Sequence, residues 1–559
     1  MKPPERLFLT LLLLFAAELR LSGIVHGQPA AEFAPTAAAR QMIHENAAVH
    51  PDEFLYVSLP LRMLVSGQLN SKFFENPSLL INLNFVTDWL TGADAGRSLD
   101  AWAGAGDRQI ASFDLYVVGR VYSALGGLIA VAAAYAMTRR LAGRRAAAAA
   151  GLLTAVALPL VQHAHYTTTT SLAAGFGALA VWGCVESLYR LRRAALRTNR
   201  FTRRIPAWAW AFVIAGVAAG LAAGSRYNAA GIALVNGVIG LLILRGDGGR
   251  ARIAWVLTGW LAMPAAFVLT TPHVLFDPQE VWADFLYITA QYGGGAAVNT
   301  TPYGLVYELR YLVLYGVGIP AAVLAVAGAL AALTRRRDPL LRAAALALII
   351  TFAAYSLVVL RTQRPAHADQ LLVPILPLVA VFAGMGVNQA ARRWRSPAAR
   401  AALIAVVVAV PLLPTLQVVS RFSQRDTRYL MQAWIEENIP HGARVHLNGQ
   451  YNVPLDPAHY VVSQNFGGEY PPLDDLLAEG VDYVVISDAW AFDWGRTREY
   501  ITPETLAQLS AYLADWQTRL RPLAHLDRPT WIGQGEPLHT ASIWGHPGLT
   551  VYCVPGRTC

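Results

Sequence analysis

The sequence predicts a mainly α protein: a polytopic bundle of transmembrane helices over residues 1–419, followed by a soluble α/β domain over 420–559. Three observations carry this. Only 14% of the 559 residues are charged and 55% are hydrophobic, against about 25% charged in soluble domains. Apolar runs near the roughly 20 residues needed to cross a bilayer core recur through the first three quarters of the chain. Arginine clusters separate these runs in alternation. The net charge is +9, yet only Lys2 and Lys72 are lysines. A basic balance can signal nucleic acid, but arginines placed between apolar runs signal membrane orientation, so no nucleic-acid partner is expected.

The first segment has Lys2 and Arg6 before a short apolar core reaching Ala17, then Glu18 and Arg20. Signal peptide and retained helix both fit, and the lack of a clear A-x-A cleavage pattern favours the helix. Either way the next stretch, 26–112, is a long loop outside the cytoplasm. Within it Phe54 to Leu64 and Leu79 to Leu90 are apolar but too short to span, and suit helices in the membrane interface.

Spans follow at 113–137, 146–162, 170–189, 206–223, 229–244, 253–271, 311–333, 340–360, 369–388 and 400–419. With the first helix the total is about eleven. The clusters Arg139-Arg140 with Arg144-Arg145, Arg190 to Arg204, Arg245 to Arg252, Arg335-Arg336-Arg337 and Arg392 to Arg400 all fall on the side assigned to the cytoplasm. Beyond them, Arg444 to Leu447 and Val481 to Ile486 read as buried strands, and Thr427 to Asn438 and Pro503 to Ala514 as helices. By parity this domain lies outside. Of the cysteines, Cys184 reads as buried packing; Cys553 and Cys559 suit a small disulfide loop and free thiols equally well.

The unusual polar residues gather in the outward connections. They are His50, Asp52 and Glu53; His163 and His165; Arg226, Tyr227 and Asn228; His273 and Asp277; and Arg361, Arg364 and His367. Ionisable groups near a membrane mark function by default. Pro51-Asp52-Glu53 suits the start of a helix. The same carboxylates suit a general base, Asp52 taking a hydroxyl proton and Glu53 orienting the acceptor or holding a cation. On the residues alone the two readings stand level. His163 and His165 are two apart, which on a helix puts them on different faces, so a metal pair needs extended backbone. Arg226 at an outer turn suits a phosphate, its guanidinium fork matching the oxygens, or simple snorkelling to the interface. Arg361, Arg364 and His367 supply a second cationic group with the same two readings.

The run His50 to Phe54, then Gly67-Gln68-Leu69-Asn70, then Phe73 to Leu79 resembles the first outer loop of the bacterial family-39-type glycosyltransferases of GT-C fold. These are the protein-O-mannosyltransferase-like enzymes dependent on a phospholipid carrier. Val118-Gly119-Arg120, Gly220 to Asn228, Thr271 to Pro278 and Leu371 to Pro377 match in the same order. The resemblance implies an integral protein of a bacterial-type inner or plasma membrane, with its active site and C-terminal domain facing outside. It implies transfer of a sugar, with inversion, from a polyprenyl-phosphate donor to an acceptor hydroxyl on a glycan, lipid or protein. Asp52 corresponds to the family's loop acid and Arg226 to its outer basic residue. No cofactor follows from it with certainty, and a divalent cation is admitted. Members often carry an acid where this chain has Thr170, and Arg-Tyr where it has Asp369-Gln370; Arg364 or His367 then takes the donor-phosphate contact. Two rival classes remain. One is a transporter, which calls for broken helices and polar groups at mid-membrane; the other is a non-catalytic scaffold whose C-terminal domain binds a ligand.

Overall fold

The computed structural model describes residues 3–27, 50, 52–91, 113–195, 206–245, 249–292, 309–334, 339–360, 371–449, 452–465, 472–487, 503–527 and 546–556. All eleven expected spans coincide with helical segments: α1 Pro3–Leu21, α4 Phe113–Ala142, α5 Arg144–Val156 with α6 Leu158–Gln162, α7 Thr170–Ala195, α8 Ala207–Ser225, α9 Ala233–Leu244, α10 Gly249–Thr270, α13 Ile319–Thr334, α14 Pro339–Leu360, α15 Leu376–Ala391 and α16 Pro397–Phe422. Among the described residues seven helices are long and apolar enough to cross a membrane, or nine if each of two bent pairs counts as one span. The chain is therefore an integral membrane protein. Its outer faces carry exposed Leu257, Leu261, Val323, Val326 and Leu330, the surface that lipid rather than water accepts.

Two expected spans are broken. The first bends by 55° between Val156 and Leu158, the second by 106° between Val317 and Ile319. Two residues beyond each break stands a proline, Pro159 or Pro320, which has no N–H for the carbonyl four residues back and crowds it. At the second break Gly318 takes φ +80°, which few other residues adopt. The carbonyls freed at the first break do not go unpaired. Arg20, buried in α1, donates to the oxygens of Ala155 and Thr154 at 3.0 and 3.3 Å. A charge in the first helix thus caps the end of α5. Elsewhere small residues bring backbones together. A Cβ on Gly386 would stand 1.9 Å from the Leu324 oxygen, so α13 and α15 cross at a distance only glycine permits.

The arginine-rich ends are cross-tied. Arg139 and Arg144 both meet Glu5, and Arg140 and Arg190 both meet Glu186, at 2.6 and 2.7 Å. On the opposite side, α2 Glu53–Ser66 and α3 Leu79–Thr91 occupy the two short segments expected at the interface. At 1.5 Å per residue α2 and α3 reach only about 20 Å, so neither spans. They pack together through Tyr56, Leu59, Met63, Leu80 and Ile81, resting on Leu172 of α7.

Short helices α11 His273–Phe276 and α12 Pro278–Tyr292 follow α10. After α16 comes α17 Thr427–Asn438, then β1 Arg444–Asn448, β2 Val461–Asn465, α18 Leu473–Ala478, β3 Tyr483–Ser487, α19 Pro503–Arg519, β4 Arg521–Leu526 and β5 Leu549–Cys553. The sheet order is β2-β1-β3-β5-β4, parallel at β2-β1-β3 and antiparallel at β3-β5-β4. Expected strands β1 and β3 are two of its three central strands, as their apolar content requires. Cys553 is disulfide-bonded, Cys184 is free and buried, and Cys559 lies outside the described residues.

The buried face of α3 carries Asp88, which is 2% exposed. Burial first, and then the nearby Asp114, push its carboxyl from the usual 3.8 up to about 7. Between those values the folded chain holds a proton that the unfolded chain releases, so stability falls as pH rises from about 4 to about 7. Thermal unfolding in detergent across that window should show the decline, and Asp88→Asn should flatten it. An unchanged slope in the variant would rule Asp88 out as its source.

Candidate active site

The site is built on the start of α2. Asp52 is the first residue outside the helix, with φ −77° and ψ −18°, and its side chain makes no capping hydrogen bond. Both acids do stand at a helix start, as that reading expects, but the Asp52 carboxylate is not spent on a cap. Its side chain is 39% exposed, and its backbone N–H donates to His50 Nδ1 at 3.2 Å. With Nδ1 accepting, the neutral His50 ring carries its proton on Nε2.

Glu53, the next residue, is wholly buried. Its carboxylate accepts from Arg120 of α4 through Nε at 2.9 Å and Nη2 at 3.1 Å, and from the Thr167 N–H at 2.7 Å. Arg120 Nη1 also donates to the oxygens of Ile24 and His26, both at 2.8 Å. The same patch holds His26, which burial and the adjacent Arg120 keep well below the usual imidazole value. The threonine run is sewn to α4 as well, Thr167 Oγ1 donating to Tyr116 O and Ser123 Oγ to Thr168 O. Arg120 belonged to a matched stretch in the sequence, but nothing there indicated its partner, 67 residues away.

The histidine pair divides. His163 and His165 sit on one 3₁₀ turn, not on extended backbone. His165 stacks on Phe422 at 4.4 Å, and its nitrogens stand 2.8 Å from Val161 O and 2.9 Å from Ser22 O. His163 turns the other way. Its ring centroid is 6.3 Å from that of His50, and it lies within electrostatic reach of Arg226. Both nitrogens of His163 are buried with no hydrogen-bond partner. The two imidazoles do not form one metal pair.

Arg226 ends α8 in extended backbone, φ −147° and ψ 134°, and is 7% exposed. Its Nη1 donates to Thr170 Oγ1 at 2.6 Å. Tyr227 donates from its hydroxyl to Phe74 O at 2.9 Å, and both amide atoms of Asn228 are buried without a hydrogen-bond partner. Orphaned buried polar atoms cost about 1–3 kcal/mol each, which makes His163 and Asn228 places where a polar ligand is favoured.

A strap over residues 67–78 closes one side. Gly67, at φ 68°, ends α2. Phe74 is fully buried: its N–H donates to Asp284 at 2.7 Å, its carbonyl takes the Tyr227 hydroxyl, and its ring lies 5.6 Å from that of His273. Burial holds the His273 imidazole below its usual value. Asp277 accepts from Lys72 at 2.7 Å and from Asn70 at 3.1 Å, hydrogen bonds that hold it below the usual carboxylate range. Lys72 also meets Glu280 at 2.5 Å. His273 and Asp277 thus shape the strap. The strap also places Glu75, whose carboxyl is raised by burial, then by Asp284 and Asp52. Glu75 and Asp284 were not assigned from sequence; the fold brings Glu75 within electrostatic reach of both Asp284 and Asp52, and like-charged neighbours favour a proton or a cation on Glu75. Arg361, Arg364 and His367 lie outside the described residues.

No family model matches the sequence, and no curated protein matches it. Solved structures do. The Archaeoglobus fulgidus oligosaccharyltransferase tethered to an acceptor peptide containing the NVT sequon is similar over 95% of this chain and 73% of its own, at 13% identity and TM-score 0.49. ArnT from Cupriavidus metallidurans, bound to undecaprenyl phosphate, is similar over 94% of this chain and 98% of its own, at 16% identity and TM-score 0.43. The archaeal AglB in complex with an inhibitory peptide and a dolichol-phosphate is similar at 13% identity and TM-score 0.47, over 94% and 73%.

Breaking a buried ion pair from one side strands the other charge, at roughly 3–5 kcal/mol. Glu53→Gln and Arg120→Met should each lower thermal stability in detergent by an amount of that order, and the double variant should lose less than the sum. Additive losses would mean the pair is not coupled.

Proposed function

We propose that the protein is a GT-C-type membrane glycosyltransferase. It moves a sugar from a polyprenyl-phosphate-linked donor to an acceptor hydroxyl outside the cytoplasm, with inversion. The observation that carries this is one juxtaposition: a half-exposed, uncapped Asp52 carboxylate 3.9 Å from His50, whose ring lies 6.3 Å from that of His163, a buried imidazole without hydrogen-bond partners and within electrostatic reach of Arg226.

The chemistry follows from the groups. Asp52 accepts the acceptor's hydroxyl proton as that oxygen attacks the anomeric carbon. The bond from that carbon to the phosphate oxygen breaks, and the electron pair leaves with the lipid phosphate. The leaving group needs positive charge more than a proton, and Arg226 supplies it. His163 and Asn228 bind sugar or phosphate oxygens. His50 orients the Asp52 loop. Glu53 acts through position, holding that loop on Arg120. Arg364 or His367 joins Arg226 on the donor phosphate in place of the family's Arg-Tyr, and Arg361 adds positive charge at the same outer connection. His165, Tyr227, His273 and Asp277 support the walls. If a divalent cation takes part, Glu75, within electrostatic reach of Asp52 and of Asp284, would help to hold it. The acceptor, whether glycan, lipid or protein, enters from outside.

A transporter is favoured by the two broken helices. Both breaks are explained by proline, and the polar groups gather at one end of the bundle, which favours the transferase.

The decisive experiment incubates purified protein with a panel of labelled polyprenyl-phosphate sugars and envelope fractions. Product should form with at least one donor, and Asp52→Asn should cut turnover by about 10²–10⁴-fold with its elution profile unchanged. No transfer across the panel, or full activity in Asp52→Asn, would sink the reading; solute uptake into proteoliposomes without glycan product would favour the transporter. Sidedness has its own test. Lys72, whose side chain is 52% exposed, changed to Cys should react with an impermeant thiol reagent in intact cells. Arg145→Cys should react only after lysis, against a low background because Cys184 is buried and Cys553 is bridged. Labelling of both positions from one side would refute the orientation.

A further inference from the structure

A second cluster of ligating side chains lies in the C-terminal domain, apart from the site above. The last turn of α17 carries Glu436, the turn after it carries His441, and His459 stands just before β2. One potential ligand atom from each lies within 4.8 Å of the other two. His441 Nε2 is 3.2 Å from Glu436 Oε2, and His459 Nδ1 is 3.3 Å from the same oxygen. Two atoms on one tetrahedral ion, each about 2.0–2.1 Å from it, stand about 3.3–3.4 Å apart. The imidazole rings are stacked, with centroids 4.2 Å apart and planes 12° from parallel. Each ring turns a nitrogen toward the same Glu436 oxygen, and because a ring nitrogen's lone pair lies in the ring plane, ligation of one ion rotates the rings out of this stack.

The surroundings hold this arrangement. Tyr460 donates from its hydroxyl to Glu436 Oε2 at 3.4 Å, as an outer partner that orients a ligating carboxylate does. The Gly442 N–H donates to His459 O at 2.6 Å, tying the two histidine-bearing turns together. The side chains of Glu436, His441 and His459 are 22%, 57% and 42% exposed, so an ion can enter and water can complete its shell. Two imidazoles and a carboxylate suit zinc, cobalt or nickel, whereas magnesium and calcium prefer all-oxygen sets.

We propose that Glu436, His441 and His459 bind a divalent ion of the zinc class, which staples the end of α17 to the start of β2. This does not rest on the transferase reading.

The test uses the full chain in detergent, free of any histidine tag and stripped with chelator. Titration with Co2+ should give a visible ligand-field band saturating at one equivalent, and Zn2+ should displace it. His441→Ala and His459→Ala should each weaken binding by at least about tenfold, and Tyr460→Phe by about tenfold, since loss of an outer partner alone costs about 10–100-fold. Added Zn2+ should slow amide exchange across 436–460 in the parent and not in the double histidine variant. Absence of the cobalt band, or equal binding by the double variant, would overturn the proposal and leave a hydrogen-bonded cluster only. Glycosyl transfer is measured separately, so failure here and failure of the transferase reading are distinguishable.

Discussion

The buried pair of Glu53 and Arg120 is the constraint on which the outer face of the bundle depends. Neither side chain touches solvent. Two such charges cost several kcal/mol each to strip of water, and the cost is met only when every oxygen and N–H has a partner. Here Glu53 takes two hydrogen bonds from Arg120 and one from Thr167 N–H, while Arg120 adds the carbonyls of Ile24 and His26. The turn after α1, the start of α2, the first third of α4 and the threonine run before α7 all meet at this pair. Once they are joined, the backbone at Asp52 has no freedom of its own.

Two adjacent acids of near-identical chemistry are thereby given opposite tasks. Glu53 is buried and fully bonded; Asp52 is half-exposed and makes no cap. Environment, not residue type, divides the bonded carboxylate from the one left open to solvent. The histidines divide in the same way. His165 spends both nitrogens near carbonyls, and His163, two residues earlier, has both nitrogens unspent.

Hydropathy made the helices legible, because each span must satisfy its own backbone and present apolar side chains to lipid. The breaks at Val156–Leu158 and Val317–Ile319 were not read, although Pro159 and Pro320 mark them; apolar content runs straight through a bend. β1 and β3 were legible from their apolar content. β2, with Ser463, Gln464 and Asn465, and β4, starting Arg521-Pro522, lie at sheet edges where no such signal exists. Of the site, single residues were visible and pairings were not. Glu53 with Arg120, Asp277 with Lys72, and Glu75 with Asp284 are separated by 67 to 209 positions, and local periodicity carries no trace of them.

The C-terminal domain is coupled to the same scaffold. Tyr429 of α17 donates its hydroxyl to Gly27 O at 3.0 Å, one residue beyond the carbonyl that Arg120 takes. The Phe422 ring, at the end of α16, packs against His26 and His165. Thr427 bonds Pro547 O at 2.7 Å, bringing the segment before β5 onto the same helix. Glu436 lies seven residues after Tyr429, about two turns or 10 Å along α17. One end of this helix therefore touches the turn that fixes the Asp52 loop, and the other carries the Glu436, His441 and His459 cluster. The two turns of helix between these contacts transmit orientation, not charge. Whatever fixes its far end restrains the tilt of its near end against the Gly27 turn, and through that turn the backbone on which the carboxylate is presented.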